Sequence, residues 1–572
     1  MRRSVVDLYY DNLEKVKKRV AVTDLFDELT YAELECRSNA ICRRLLEEGV
    51  ERGSLIPISM DHCIERAVAI LGVMKAGAGY VLIQPEEWNK KKTVIARYIS
   101  KRIVICEWEN QPLFGAGWTP ISPEMDAIFE VAPEMPVVSE NALLCAHFTS
   151  GTTGDPKLVF LQHFDAYDMI CTKNRLLERF DVERVAQYLS PYFAFGSEVY
   201  LGALAMGLSV YCFDEINRGN IPELFRFLRG NAIDMIELPT SLIHVIGANP
   251  SLADALPENL RIIIAAGESL YLSDSMRSCL EEKNIELFSE YGCSEMLATS
   301  IAPVSSLEAL PNGLLPLGDP VRGCRCFLRD GHLFFVREGK KQQDYCVQRK
   351  ELFVEDSDGS CYMDTMDLAV KKNHRIYITG RANRTVKVRG FRINLSEIEH
   401  CICESVHGVQ VYVGCVEDKN HVTRIGVLYC SQVEIAPEKI KAAINHQLED
   451  YKMPQLFVAV DTIPTNVNGK KDRERCSRIL QQEFDVAGTP KEPEDMRALI
   501  LWCVERYTGA LDEAKKKQDF SELGIDSLTL ISILCEIEEV SGISIQLEKL
   551  DRSWMKTPEQ LIESVRKYEL YR

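Results

Sequence analysis

The sequence predicts a three-part protein: a large multi-sheet α/β domain, then a small α/β unit, then a short all-helical bundle. Three observations predict it. Short β-branched apolar runs alternate with amphipathic stretches over most of the chain, the texture changes near residue 381, and a Pro/Gly-bearing polar segment precedes a final stretch of helical periodicity.

The first part, expected over 1–380, carries SLIPISM, RIVICEW, GLSVYCF, IDMIEL and LRIIIAA. Such runs, separated by amphipathic helices, suit parallel strands covered by helices on both faces. From 381 to 483, VKVRGFRINLSEIEHCI passes from strand to helix, and VQVYVGCV, RIGVLYC and LFVAV read as further strands of a smaller unit. The segment starting FDVAGTPKEPED at residue 484 holds two prolines and a glycine and is expected to be a linker over 484–493. The remainder, 494–572, is helical in pattern: SLTLISILCEIEEV places apolar residues at 528, 531, 534 and 537.

Composition narrows the function. The 572 residues are 46% hydrophobic and 27% charged with a formal charge of −18, a globular composition without the clustered basic footprint of a nucleic-acid binder. No apolar run approaches the ~18 residues of a membrane span, and the start MRRSVVDLYYDNLEKVKKR lacks a signal-peptide core. A cytoplasmic location, with neither membrane nor nucleic acid as partner, is expected. The 20 cysteines contain C-x-C pairs at Cys324/Cys326 and Cys401/Cys403 but no C-x-x-C, and read as buried reduced thiols rather than a metal site.

The chemistry is concentrated in a few stretches. FTSGTTGDPK (148–157) joins glycines, hydroxyls and a lysine, residue types whose backbone N–H groups, O–H groups and charge suit phosphate oxygens. It is not the G-x-x-x-x-G-K-[ST] loop, since its glycines are three apart and a proline precedes the lysine. With it come LTYAEL, MKAGAGYVLIQP, AAGESL, EYGCSE, MDLA, TGRANRTVKVRGFRINLSEIE and TNVNGKKDR, in that order around the loop. Together these resemble the adenylate-forming superfamily, and within it the adenylation domains of nonribosomal peptide synthetases, over nearly all of 20–480.

The resemblance implies roles residue by residue. Thr149, Ser150, Gly151, Thr152, Thr153, Gly154 and Lys157 would lie over the ATP phosphates. Gly267, Glu268 and Tyr291 would flank the adenine, Gly292 and Arg381 would belong to the ATP site with them, Ser294 would contact phosphate, Asp367 would hold the ribose hydroxyls, and Glu295 would ligate Mg²⁺, a hard cation suited to carboxylate oxygen. Lys470 would be the mobile catalytic lysine that stabilises charge developing between the substrate carboxylate and the α-phosphate. The small domain would rotate about a hinge near Arg381, exchanging Lys470 for the Lys387 to Gly390 loop between acyl-AMP formation and thiol attack. Two departures are visible: Asn383 where the family usually has aspartate, and Leu158 where glycine normally follows the loop lysine.

FSELGIDSLTL (520–530) resembles the phosphopantetheine attachment site of carrier proteins, which implies a four-helix carrier bundle with the 4'-phosphopantetheine arm at Ser527, installed by a phosphopantetheinyl transferase. As a residue, Ser527 after Asp526 also reads as a helix cap. With the chain ending at Arg572, the loaded acyl group is expected to pass to a downstream biosynthetic enzyme in trans. A ligase acting on free CoA, or a decayed scaffold, would share the larger part of the chain.

The aspartate that holds the α-ammonium in amino-acid-activating relatives is replaced by Ala194 in SPYFAFGSEVYLGALAMG. The same alignment puts Phe193, Phe195, Glu198, Glu237, Ile264, Ala266, Glu290, Ala298 and Thr299 in the acid pocket. Three carboxylates facing one pocket call for a cation, protonation or outward rotation. The expected substrate is therefore a small carboxylic acid with an amine or guanidinium away from the α position, such as a β- or ω-amino acid. A neutral aryl or aliphatic acid is the alternative if one or more glutamates lie outside the pocket.

Overall fold

The fold was analysed as a computed structural model. It describes residues 3–24, 26–115, 117–123, 136–149, 157–214, 220–310, 313–338, 352–355, 361–382, 384–388, 391–406, 409–417, 422–431, 435–445, 447–464, 471–487, 496–508, 511, 515–520, 523, 525, 529–530, 533–534, 536–537, 541 and 556–569.

The apolar runs become strands of two largely parallel sheets. In one, the order is Thr119–Ile121, Ile103–Cys106, Leu55–Ser59, Gly79–Leu82, Leu143–Thr149, Lys157–Gln162. In the other, Ile262–Ala266 lies between Met235–Pro239 and Glu286–Cys293, parallel to both, and Leu297–Pro303 closes back antiparallel. Fully buried strands explain why these segments read as continuous apolar runs rather than alternating ones. A third sheet of antiparallel strands pairs Cys361–Lys372 with His332–Arg337 and with Arg375–Arg381.

Two helices carry acid-side residues. His163–Leu177 starts directly after strand Lys157–Gln162, and the Gln162 backbone N–H donates to Asp165 Oδ2 at 3.0 Å, closing its first turn. Ala194–Met206 carries Glu198 as its one charged residue and stops at Gly207, whose φ of 77° is a left-handed cap that a side chain would strain. Its entry needs Gly196: a Cβ there would sit 1.9 Å from Ser190 O.

The smaller unit holds the hairpin Thr385–Val388 and Phe391–Asn394, the helix Leu395–Ser405, and the strands Val409–Glu417, Thr423–Ser431 and Leu456–Ala459. Of the last unit, Met496–Thr508 and Pro558–Glu569 are helices that pack together, with Leu534 and Ile537 of the expected apolar stripe buried. This unit also touches the small one. The Arg424 guanidinium, buried, lies 4.5 Å from the Tyr507 ring, and Lys515 pairs with Glu438 at 2.7 Å.

Candidate active site

The glutamates expected in the acid pocket are brought together from elements of the large domain that also contribute Lys173. Glu198 comes from helix Ala194–Met206, four residues and so about one turn beyond Ala194. Glu237 comes from strand Met235–Pro239, where it lies beside Ile264, and Glu290 from strand Glu286–Cys293. All three glutamates converge on Lys173 of helix His163–Leu177, whose Nζ is 3.8 Å from Glu198 Oε2, 3.0 Å from Glu237 Oε1 and 2.9 Å from Glu290 Oε2. None of the three turns outward: their exposures are 4%, 2% and 5%, and that of Lys173 is 2%.

Sequence reasoning missed Lys173. Its signal was a lysine on the apolar stripe Ala166, Met169, Ile170, Leu177, where an aliphatic residue belongs. Burial pushes Glu198 well above the usual carboxylate range, reinforced by Glu290 and opposed by Lys173. Burial likewise pushes Glu237 up to about 7 against the pull of Lys173. For Lys173, burial acts downward but is outweighed by Glu237, Glu290 and Glu198, so its ammonium is held charged above the ordinary lysine value.

Ala194 begins its helix with Phe193 as the preceding cap residue, and Phe195 is half-buried. Phe193 meets the small unit edge to face, 4.9 Å from the Phe391 ring, which stacks on Tyr451 at 4.3 Å. Ile264, Ala266, Ala298 and Thr299 are buried on neighbouring strands, and Thr299 Oγ1 donates to Tyr291 O at 3.1 Å. That bond joins a residue expected in the acid pocket to one expected at the nucleotide.

On the nucleotide side, Tyr291 Oη donates to Asp367 Oδ2 at 2.5 Å and its ring stacks on Phe335 with centroids 5.6 Å apart. Asp367 is in register with Arg381, the expected hinge residue. Gly292 sits where the strands bulge together; a Cβ there would be 2.4 Å from Leu297 O. Lys387 reaches across from the small unit, its Nζ 3.5 Å from Gly292 O and 5.1 Å from the Tyr291 ring centre. Gly267 takes a φ of 109°, Glu268 O accepts from Thr240 Oγ1 at 3.3 Å, and Glu295 is buried beside half-buried Ser294. A buried carboxylate, an aromatic ring and a glycine turn fit a nucleoside, and a hard carboxylate beside a hydroxyl fits Mg²⁺.

Lys157 is half-buried, in antiparallel register with Thr149. Leu158, the departure from glycine, is fully buried in an apolar cluster with Val81, Ile83 and Trp88, so the strand accommodates it as core. Ser150, Gly151, Thr152, Thr153, Gly154, Asn383, Gly390, Lys470 and Ser527 lie outside the described residues. The neighbour of Lys470, Lys471, pairs with Glu399 at 3.0 Å. Among the described residues, no group of three or more His, Cys, Asp and Glu is arranged to hold a metal, and no helix is long and apolar enough to cross a membrane.

Residues 10–341 match the AMP-binding enzyme family and 499–565 the phosphopantetheine attachment site. The chain belongs to the AMP-binding enzyme family and carries a carrier domain. These two matches are consistent with an AMP-forming ligase joined to a phosphopantetheine carrier. It is 27% identical over 96% of its length to gramicidin S synthase 2 of Brevibacillus brevis, and 27% identical over 95% to tyrocidine synthase 2 of Brevibacillus parabrevis. It spans only 13% and 16% of those relatives' lengths. In fold it is similar to a holo nonribosomal peptide synthetase protein with adenylation and PCP domains bound to a vinylsulfonamide inhibitor (TM-score 0.76, 18% identity, 99% of this chain and 97% of that one). It is also similar to NpsA-ThdA, an artificially fused adenylation-PCP di-domain from Klebsiella oxytoca (TM-score 0.67, 20% identity, 82% and 94%).

Proposed function

We propose that the acid activated is one that lacks an α-ammonium and carries its cationic group elsewhere, as in a β- or ω-amino acid, and that it is loaded at Ser527 for transfer in trans to a biosynthetic partner. The observation that carries this reading is the convergence of Glu198, Glu237 and Glu290 on a single lysine. At an effective dielectric of about 20, unit charges ~4 Å apart interact by about 4 kcal/mol, so one ammonium offsets one carboxylate and leaves the others in need of a proton or a second cation. Ala194 offers no charge to an α-ammonium at the other end of the same helix face.

In this reading, Lys157 and the loop before it bind the ATP phosphates, Asp367 and Tyr291 hold the nucleoside, and Glu295 holds Mg²⁺. Lys470 stabilises charge while the carboxylate attacks the α-phosphate. Lys387 then stands at the nucleotide side for the second half-reaction, in which the phosphopantetheine arm supplies the thiol. The contact of Lys387 with Gly292 supports assigning this arrangement to thioester formation.

ATP–pyrophosphate exchange with β-alanine and 4-aminobutanoate, against their uncharged isosteres butanoate and pentanoate, tests the substrate class. Exchange with the amine-bearing member of each pair is expected; exchange confined to the neutral acids overturns the reading. Intact mass measurement after treatment with a phosphopantetheinyl transferase and CoA tests the carrier. Ser527→Ala is expected to keep pyrophosphate exchange and lose all loading, whereas undiminished thioester formation on free CoA would favour a CoA ligase.

A further inference from the structure

The Lys173 cluster also dictates how a cationic acid enters. Three carboxylates and one ammonium, each no more than 5% exposed, would hold a net charge of −2 if all were ionised. Glu198 Oε2 and Glu237 Oε2 accept no hydrogen bond, although Glu198 Oε2 lies within ion-pair range of Lys173, whose ammonium is held by Glu290 Oε2 at 2.9 Å. Buried acceptors without donors are costly and point to a missing proton or ligand.

The groups facing the cluster can be named element by element. Lys173 comes from helix His163–Leu177, Glu198 from Ala194–Met206, and Glu237 and Glu290 from two adjoining strands of the second sheet. From strand His332–Arg337, Arg337 favours ionised Glu198, but its own charge is matched by Asp165 at 3.2 Å. From strand Gly79–Leu82 comes Tyr80, a buried neutral phenol that feels the Glu198 charge. Lys173 is thus the cation that the cluster itself supplies.

We infer that Lys173 is a specificity-determining residue that holds the three glutamates together, and that the acid's cationic group binds by taking over a carboxylate whose proton leaves to solvent. The inference rests on the cationic-acid reading above. The exchange balances: the ligand keeps its ammonium or guanidinium protons, one carboxylic acid in the cluster becomes a carboxylate, and one H⁺ goes to buffer. The Glu237 carboxyl, lifted to about 7, makes the exchange visible near neutral pH. An entering cation lowers that value, so protons are released on binding. Affinity for the cationic acid therefore rises as pH rises toward 7 and levels off above it.

Calorimetric titration of the full chain with 4-aminobutanoate and with pentanoate, at pH 7 in two buffers of different ionisation enthalpy, reads the proton directly. Release is expected with 4-aminobutanoate and none with pentanoate. In pyrophosphate exchange the KM for 4-aminobutanoate should fall by up to about tenfold per pH unit below 7 and then flatten. Glu237→Gln should flatten that fall. Lys173→Met should move it to higher pH, because the carboxylates then hold their protons more tightly; a merely structural lysine would not shift the profile. Buffer-independent heats, with exchange still favouring the amine, overturn this inference and leave the cationic-acid reading standing. Failure of exchange with every amine-bearing acid overturns that reading and the inference with it. Should either variant fail to fold, the two-buffer titration of the unaltered chain decides the matter.

Discussion

Among the described residues of the large domain, Lys75 and Lys173 are buried, and their surroundings differ in one respect. Lys75, 1% exposed, donates to Glu35 Oε2 at 2.6 Å, Ser38 Oγ at 2.8 Å and Asn39 Oδ1 at 2.9 Å, with the rings of Tyr9 and Tyr10 within 6 Å. One charge meets one charge, and the remaining acceptors, Ser38 Oγ, Asn39 Oδ1 and Glu35 O at 3.4 Å, are neutral. Lys173 meets three carboxylates instead. Burial lowers Lys75 with Glu35 opposing it, whereas the carboxylates around Lys173 overcome burial and raise it. A balanced buried ion is finished as structure, and an over-supplied one retains capacity for a further partner.

The largest expected effect that sharpens this contrast is that of Lys173→Met. Removing the cation from three buried carboxylates should destabilise the chain by about 3–5 kcal/mol at pH 8. The loss should shrink at pH 5.5, where the carboxyls take up protons; urea unfolding at both pH values measures it. Equal losses at the two pH values would break the comparison.

Glu237→Gln is expected to act next, through pH. A carboxyl lifted to about 7 in the fold keeps a proton that the unfolded chain loses above about 4.5. Its share of stability is therefore present at low pH, declines as pH rises through this window, and is constant above it. Glutamine does not titrate, so the variant's stability profile between pH 5 and 7 should be flatter by about 2 kcal/mol. A slope unchanged from the parent would move the titration to another member of the cluster.

Lys75→Met should have the smallest effect. Glu35 keeps 16% of its side chain exposed and can draw on water, so the expected cost is about 1–2 kcal/mol, with little pH dependence. The KM profile in pyrophosphate exchange should remain that of the parent. A Lys75 variant that shifted the acid preference would erase the distinction between the two sites.

Legibility followed the same divide. The runs SLIPISM, RIVICEW, GLSVYCF, IDMIEL and LRIIIAA are strands Leu55–Ser59, Ile103–Cys106, Ser209–Cys212, Met235–Pro239 and Ile262–Ala266. Strand character is carried by the run itself, since a sheet covered on both faces demands apolar residues at every position. The three glutamates were reached through the same alignment that marks Ala194. Their partner was not, because one lysine in a helix reads as a snorkelling or solvated residue until the helix is docked. Nor were Phe391 and Tyr451, which reach Phe193 from the small unit.

The sequence by itself determined the class of chemistry. Glycines, hydroxyls and a lysine within FTSGTTGDPK, and the serine of FSELGIDSLTL, are read from neighbours a few residues away, so order along the chain suffices to single them out. Only the tertiary structure decided what the three glutamates face. Lys173 meets them across a helix and two strands that are distant in sequence. The charge state of that cluster depends on burial and on separations of about 3 to 4 Å, which are properties of packing rather than of order along the chain.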